Sequence, residues 1–342
     1  MEKIIKPLYL CLVALFMLQS CKQDGLESFA PKKEAGMNVS VKGLSGQITK
    51  DGANVRIPIE IDLSGAATQA FEAHLALDGD AVAAAITGNV LANTLAMPLS
   101  SITVPQAIVV PYGATKATFE AVLSIADLEK FYFSGKKVAF AVKLTSVAKG
   151  NAIDGHKNTG TISIDPQAVI AANEMHSISI ANGGGGKLEV SGTTNYVPSV
   201  ASIGIPLGVS LSGAASDSFT VDVATNTDTV SVLMSAGVLP SNTVVMQTGE
   251  YQLLSKATVA QSSNTGQLDL TIPSGTLLKY RNNKIALVVQ LTGSSRYVVH
   301  PSNRTVIVLI DPASIILANN YVAMLSMPNG LKSYSLITKF NT

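Results

Sequence analysis

The sequence predicts an all-β protein made of two tandem antiparallel β-sandwich domains. Three observations lead to this prediction. Apolar and polar residues alternate over short segments, turn residues separate those segments, and the pattern of one half of the chain returns in the other half. A period of two places one side of a strand in a core and the other in water, and several short strands with frequent turns are typical of a sandwich.

The chain begins with the features of a bacterial export signal. Two lysines precede an 11-residue apolar run, Leu8–Leu18, which is too short to span a bilayer and fits a signal peptide. The following Ser20-Cys21 resembles a lipobox, in which the Cys is acylated and becomes the first mature residue. We therefore predict a lipoprotein signal over 1–20, a lipid on Cys21 and a polar tether over 21–36. An ordinary secretory signal with an unrelated Cys is the alternative.

The charge balance excludes some partners. The first 20 residues hold two of the 24 basic and one of the 23 acidic side chains, so the remainder carries 22 of each sign and no net charge. A nucleic-acid partner needs a basic patch, so none is expected. We predict contact with the membrane through acyl chains. With Cys11 in the signal and Cys21 acylated, no disulfide or Cys-ligated metal is expected.

An internal repeat organises the rest of the chain. An alternating segment, Val55–Leu63, precedes Ser64–Ala67, and a similar segment, Ile203–Leu211, precedes Ser212–Ala215 at an offset of 148 residues. Two later pairs keep nearly the same spacing: Lys137–Thr145 with Lys284–Thr292, and Ile164–Pro166 with Ile310–Pro312. Such a series in order predicts a duplicated unit. Thr103-Val104 also matches Thr258-Val259, which predicts a local insertion near 235–250.

The repeat sets the predicted domain boundaries. We expect one sandwich over 37–170, a Gly-rich linker over 171–186, a second sandwich over 187–317 and a C-terminal extension over 318–342. Gly183–Gly186 is followed by a strand pattern rather than by the helix of a phosphate loop. These glycines are therefore interpreted as a flexible joint.

Local patterns refine each sandwich, which we expect to be immunoglobulin-like (Ig-like) in outline. Pro58 and Pro206 lack the N–H that a sheet needs, so their strands are predicted to be edge strands or to carry a bulge. The segment Asp80–Leu95 is rich in Ala, and its counterpart from Asp228 is compatible with a helix. One short helix that crosses between the two sheets is expected in each domain.

The lipobox, the tether and the paired Ser-Gly-Ala-Ala and Ile-Asp-Pro motifs resemble surface lipoproteins of Bacteroidetes. More narrowly, they resemble the tandem Ig-like domains of unknown function found in polysaccharide-utilisation loci. The resemblance covers about 37–317 plus the signal and implies an outer-membrane lipoprotein. The residues after Cys21 match the surface-export signal of that phylum only in part, which leaves the inner and outer leaflets open.

Catalytic motifs are missing from the sequence. The four His residues, 74, 156, 176 and 300, show neither His-Glu-x-x-His nor an i, i+4 pair, and there is no Gly-x-Ser-x-Gly elbow. Asp78 with Asp80, and Asn226 with Asp228, offer too few oxygens for Ca²⁺. We therefore expect no enzyme, no metal and no cofactor.

Exposed aromatic residues are the candidate binding groups, because sugar C–H faces pack on rings. The chain has no Trp, and the candidates are Tyr132, Tyr280 with Arg281 and Asn282, and Tyr297. Half-buried rim positions are the competing interpretation for each tyrosine. The predicted function is glycan capture in a polysaccharide-utilisation system. The alternative is an adhesin-like or structural surface subunit that binds protein partners.

Overall fold

The computed structural model describes residues 36–213 and 215–319. Cys21, the tether up to residue 35 and residues 320–342 of the predicted extension lie outside the described residues. We call 36–175 the first half and 177–319 the second half, because each range has its own main hydrophobic core. The strands of the first half are β1 (Asn38–Leu44), β2 (Thr49–Asp51), β3 (Asn54–Leu63), β4 (Phe71–Leu77), β5 (Thr94–Ala96), β6 (Ile102–Thr103), β7 (Ala107–Val110), β8 (Lys116–Ser124), β9 (Lys137–Val147), β10 (Ala152–Ile153) and β11 (Thr159–Ile164).

The second half contributes strands of similar length and spacing. They are β12 (Ser177–Ile180), β13 (Lys187–Val190), β14 (Val197–Pro198), β15 (Ser202–Pro206), β16 (Val209–Leu211), β17 (Phe219–Thr225), β18 (Thr243–Val245), β19 (Gln252–Leu253), β20 (Lys256–Val259), β21 (Thr265–Gly266), β22 (Asp269–Pro273), β23 (Lys284–Ser294), β24 (Val298–Val299) and β25 (Thr305–Ile310). The α-helices of the described residues are α1 (Gly79–Thr87), α2 (Ile125–Glu129), α3 (Pro166–Val169), α4 (Thr227–Ser235), α5 (Ser274–Lys279) and α6 (Pro312–Asn319).

The first half is a sandwich of two sheets. One sheet has the order β10-β1-β3-β8-β6 with β2 beside β3, and the other has β11-β9-β4-β7 with β5 beside β9. The core between them takes alternate residues of both sheets, such as Ile57 and Ile59 from β3 and Phe140 from β9. The all-β sandwich prediction is thereby confirmed.

The second half repeats this strand order. Its sheet β25-β23-β17-β20 corresponds to β11-β9-β4-β7, and its layer β24-β12-β16-β21 corresponds to β10-β1-β3-β8. Both halves also carry a bulge at equivalent places: Thr145 of β9 is the extra residue opposite His74 and Leu75, and Thr292 of β23 is the extra residue opposite Asp222 and Val223. In the second half, pairing of Val259 with Gly266 joins the two layers into one curled sheet. The two halves share this strand order, as the repeat predicts, and the second half adds β13 beside β25. The domain boundaries stay predictions.

The predicted insertion near 235–250 is wrong. Val110 pairs with Phe71 in the first half, and Val259 pairs with Phe219 in the second. The counterpart of Val259 is therefore Val110 and not Val104. The match between Thr103-Val104 and Thr258-Val259 is a coincidence of sequence, because pairs of β-branched residues recur in many strands.

Pro58 lies inside the sheet, which differs from the predicted edge position. Its strand β3 pairs with β8 along its whole length. On the other side, pairing with β1 ends at Ile59 and pairing with β2 begins at Arg56. The Pro58 carbonyl accepts from Ser45 on that side, so the missing N–H faces the gap between two short strands and interrupts no ladder. Pro206 ends β15, beyond the reach of its neighbour β14.

The two predicted helices form in the predicted segments, as α1 and α4, but their place in the fold differs from the prediction. Each described half has three α-helical segments rather than one. α1 does not cross between the sheets, since it connects β4 to β5 within one sheet and its Val82 packs on the outer-face residues Ala139 and Ala141. Asp78 begins this helix by accepting from the Ala81 N–H at 3.0 Å, which is ordinary N-cap chemistry.

The Ser-Gly-Ala-Ala motifs fasten the first strand of each half. The Ser64 hydroxyl accepts from the Asn38 N–H at 3.0 Å, and the Ser212 hydroxyl accepts from the Ser177 N–H at 2.7 Å. The N–H of each serine returns a bond to the carbonyl of the same partner, Asn38 or Ser177. The recurrence of the motif therefore reflects backbone structure, not chemistry.

The glycine run is packed, in contrast to the flexible joint expected from sequence. The preceding strand β12 belongs to the second core through Ile178 and Ile180. A Cβ on Gly184 would lie 2.4 Å from the Ile180 carbonyl oxygen and 2.9 Å from that of Asn303. These glycines let two backbones approach closely, which is a common use of Gly.

The close packing at Gly184 predicts that a larger residue there destabilises the fold. We expect Gly184→Ala to lower the free energy of unfolding by about 1–3 kcal/mol, because overpacking costs that much in close-packed sites. Urea denaturation measures the effect. Gly155→Ala is the control, since a Cβ there meets nothing within 4 Å. Equal stability of the two variants would contradict the packed arrangement.

Candidate functional site

The predicted binding residues do not converge on one surface. Tyr132 begins a short 3-10 turn whose neighbour Phe133 contacts His300, with ring centroids 4.8 Å apart. Tyr297 lies three residues before that histidine, so both tyrosines lie near the junction of the halves. Tyr280 follows α5 elsewhere in the second half, and Arg281 and Asn282 beside it are exposed.

The junction is ordered by contacts between the buried Glu129 carboxylate and His176. The Glu129 carboxylate, 3% exposed, accepts from the His176 backbone N–H at 3.1 Å and lies 2.9 Å from His176 Nδ1. The His176 ring stacks on Tyr297 with centroids 5.6 Å apart. Tyr297 is therefore a packing residue between the halves, which agrees with the competing rim interpretation.

A broad cleft in the second half is the strongest candidate site. Its volume is about 990 Å³, the upper end of the range typical of small-molecule sites. Hydroxyl, amide and carboxylate side chains supply most of its polar lining: Thr225, Tyr251, Gln252, Gln267, Asp269 and Thr271. Val223, Leu253 and Leu254 supply apolar surface.

Strand topology creates this cleft. β17 pairs with β20 only up to Asp222, and the last bond on that side runs from the Val223 N–H to the Ser255 carbonyl. Beyond Val223, that edge of β17 has no paired strand among the described residues. Across the opening, β19 pairs with β22 through Gln252 and Thr271. The cleft lies between this edge and that strand pair. Its upper wall is the segment 248–255, which we call the wall loop.

Glu250 fixes the wall loop to α5. Its side chain is 15% exposed and accepts from Tyr280 Oη at 2.7 Å and from Lys279 Nζ at 2.5 Å. The Glu250 carbonyl accepts from Thr276 Oγ1 at 2.9 Å. Tyr280, predicted from sequence as a binding residue, is thus a positioning residue for the wall of the cleft.

The hydrogen bonds of Glu250 favour its ionised form. Burial alone raises the pKa of this carboxyl, but the Gln247 backbone N–H, Lys279 and Tyr280 outweigh burial and hold the pKa below its usual 4.5. The carboxylate is therefore charged at neutral pH and keeps the wall loop attached.

Sequence reasoning missed the cleft and the Glu129–His176 pair. Gln252 and Asp269 lie in short strands and Gln267 lies between two of them, and no local motif marks these residues. Their convergence depends on pairing between distant strands, as does the contact of Glu129 with a histidine 47 residues away. The cleft forms because β17 extends beyond the end of its neighbour β20. Recognising this requires the pairing register of the two strands, which the sequence alone does not provide.

Two searches of the described residues give negative results. In residues 36–213 and 215–319, no group of three or more His, Cys, Asp or Glu side chains is arranged to hold a metal ion. Over the same ranges, no helix is both long enough and apolar enough to cross a bilayer.

Comparison with known proteins gives weak likenesses only. No model of a known protein family matches the chain, and no curated protein matches it. One similar solved structure is a candidate carbohydrate-binding protein of Bacteroides ovatus, with 11% identity, TM-score 0.31, and 39% of this chain and 36% of that chain covered. A protein of unknown function from the same species has 18% identity, TM-score 0.30, and coverage of 40% and 44%.

A third similar structure is an auxiliary nutrient-binding protein of Bacteroides thetaiotaomicron, with 21% identity, TM-score 0.28, and 36% of this chain and 42% of that chain covered. The matches thus span less than half the length of each of these three proteins. Such likenesses identify no function, so any proposal depends on the residues of this chain.

The anchoring of the wall loop predicts a pH dependence. Because the pKa of Glu250 is lower in the folded state than its usual 4.5, the ionised carboxylate stabilises the fold above pH 4.5. This stabilisation is lost as the pH falls through the pKa of the folded state. We expect Glu250→Gln to lower the free energy of unfolding by about 1 kcal/mol at pH 7, and the difference from the wild type to shrink below pH 4.5. Urea titrations from pH 7 to pH 3 measure it.

Glu72→Gln is the control for this titration, because Glu72 is an exposed carboxylate with 61% of its side chain in solvent. It should leave stability nearly unchanged. A Glu250→Gln difference that stays constant down to pH 3 contradicts the assigned role of the carboxylate.

Proposed function

We propose that this protein is a non-enzymatic, lipid-anchored cell-envelope protein that captures saccharides for a polysaccharide-utilisation system. The observation that supports the proposal is the cleft of the second half. Its hydroxyl, amide and carboxylate groups converge on an open space beside a tyrosine and two leucines. A saccharide offers the matching surface, hydroxyls at its edges and C–H groups on its faces.

The chemistry of the lining favours binding over catalysis. Glutamine, threonine and tyrosine side chains donate and accept hydrogen bonds without titrating near neutral pH. Glycoside hydrolysis needs a pair of carboxyl groups across the scissile bond, and Asp269 is the only acidic residue of the lining within the described chain. Recognition of hydroxyl groups needs only correctly placed partners.

The anchor follows from the sequence. A lipobox that ends in Cys21 and a neutral mature chain support attachment through acyl chains rather than through basic residues. The resemblance to Bacteroidetes surface lipoproteins supports the outer membrane as the location.

A specific observation favours the alternative, a surface subunit that binds protein partners. β7 is an edge strand, and close to it Val109 and Tyr112 are 64% and 77% exposed. Such an edge can accept a strand from another chain. Strand addition at β7 would leave the cleft free, so the two functions are separable by experiment.

The glycan proposal predicts that the protein is retained on immobilised polysaccharides through the cleft. We expect Gln252→Ala to weaken binding about fivefold to tenfold, the effect of one lost hydrogen bond. Gln252 is exposed, so the variant should fold normally. Affinity electrophoresis over a panel of polysaccharides measures the change.

Gln106→Ala is the matched control, since Gln106 is an exposed glutamine of the first half. It should bind like the wild type. If no polysaccharide retains the wild-type protein while sedimentation shows self-association or a bound protein, the alternative function is favoured instead.

The anchor makes a separate prediction. We expect Cys21→Ser to abolish incorporation of labelled fatty acid and to move the protein from the membrane fraction to the soluble fraction. Ser20→Ala retains a small residue before the Cys and should remain lipidated. A Cys21→Ser protein that stays with the envelope would disprove lipid anchoring.

A further inference from the structure

We infer that the cleft selects uncharged saccharides and rejects anionic ones through Asp269. This inference rests on the proposed glycan-binding function and adds the class of ligand. No Lys, Arg or His belongs to the cleft lining in the described chain. The one charged group there is the carboxylate of Asp269, so the cleft presents negative charge to its ligand.

The carboxylate has no cation beside it. Asp269 Oδ2 accepts from the Gln267 side-chain amide at 2.6 Å, which is a neutral donor. Among the ion pairs within 4.0 Å in the described ranges, none includes Asp269. Lys279 and Lys256 form ion pairs with other carboxylates, Glu250 at 2.5 Å and Asp222 at 3.4 Å.

Comparison of the two halves shows that the missing cation is specific to the second half. In the first half Pro58 pairs with Glu120, and in the second half Pro206 pairs with Asp269 at the same register. Glu120 is neutralised by Arg56, at 2.9 Å. The position that corresponds to Arg56 in the second half is Gly204.

The replacement of that arginine by Gly204 leaves Asp269 free to accept hydrogen bonds from a ligand. A carboxylate with unused acceptor sites binds the hydroxyl groups of a sugar well. The same group repels a uronate carboxylate or a sulfate ester at close range, and no basic side chain of the lining offsets that repulsion. The ligand class is therefore a neutral, hydroxyl-rich saccharide.

The test uses the full-length protein and pairs of polysaccharides that differ only in charge. One pair is dextran and dextran sulfate; the other is carboxyl-reduced polygalacturonate and polygalacturonate itself. A broader panel of neutral polysaccharides accompanies them. We expect at least about tenfold weaker binding to the anionic member of any pair whose neutral member binds, with the difference narrowing as NaCl is raised.

Two variants assign the selectivity to Asp269. Asp269→Asn should reduce the preference for neutral over anionic polysaccharide about tenfold. Gly204→Arg, which restores the residue type of the first half, should do the same by pairing with Asp269. A Cβ at Gly204 meets only the Val197 carbonyl oxygen, at 4.0 Å, so the backbone accepts a side chain. Asp80→Asn, at an exposed carboxylate of the first half, changes net charge equally and should leave selectivity unchanged.

The outcomes separate this inference from the proposed function. Binding of neutral polysaccharide with loss of selectivity in both cleft variants supports the inference. Equal or tighter binding of the anionic polysaccharides by the wild type overturns the inference and leaves glycan capture in place. Failure of every polysaccharide to bind overturns both.

Discussion

The central strands β9 and β23 must be covered on both faces, and much of the architecture follows from this constraint. Val138, Phe140 and Val142 face the core of the first half, while Ala139 and Ala141 face outward and are equally buried. β23 alternates in the same way, with Ala286 and Val288 on its outer face. A strand that is apolar on both sides loses stability if either side meets water. The helices α1 and α4 cover these outer faces. This position fixes where the backbone leaves the sheet after β4 and β17 and where it re-enters at β5 and β18.

The same constraint explains which features of the fold could be predicted from the sequence. Alternation in Val55–Leu63 predicted buried Val55, Ile57, Ile59 and Ile61 correctly, because a period of two is a local property. The continuous apolar run of β25 is typical of a strand buried on both faces, and β25 pairs with a strand on each side. The helix-prone segment from Asp80 was recognised, but its place on the outer face depends on β9, more than 50 residues later in the chain.

The candidate site was harder to predict from the sequence than the fold, for the same physical reason. Tyr132, Tyr280 and Tyr297 were chosen as aromatic residues in turns, and aromatic residues in turns also pack between elements. Tyr297 packs against His176, and Tyr280 binds Glu250. The glycine run shows the complementary error, since composition indicates flexibility whereas Gly184 is needed where backbones approach closely. Whether such residues pack or stay exposed depends on the register between strands that are distant in sequence. A single sequence contains little information about that register.

Duplication gives such a fold a way to acquire a site without losing stability. In the first half, Arg56 bridges Asp51 and Glu120 on the outer surface of β3 and β8, where the second half has Gly204 and Asp269 at the corresponding positions. In the second half, Gly204 removes the bridge, the strand β15 ends after Pro206, and the layer bends into β16. The core residues Ile203 and Ile205 remain fully buried, so the change affects only the polar face. Because exposed ion pairs contribute little to stability, the loss of one costs the fold little. The core of a sandwich therefore constrains one face of each strand strictly and leaves the other face free to acquire a ligand.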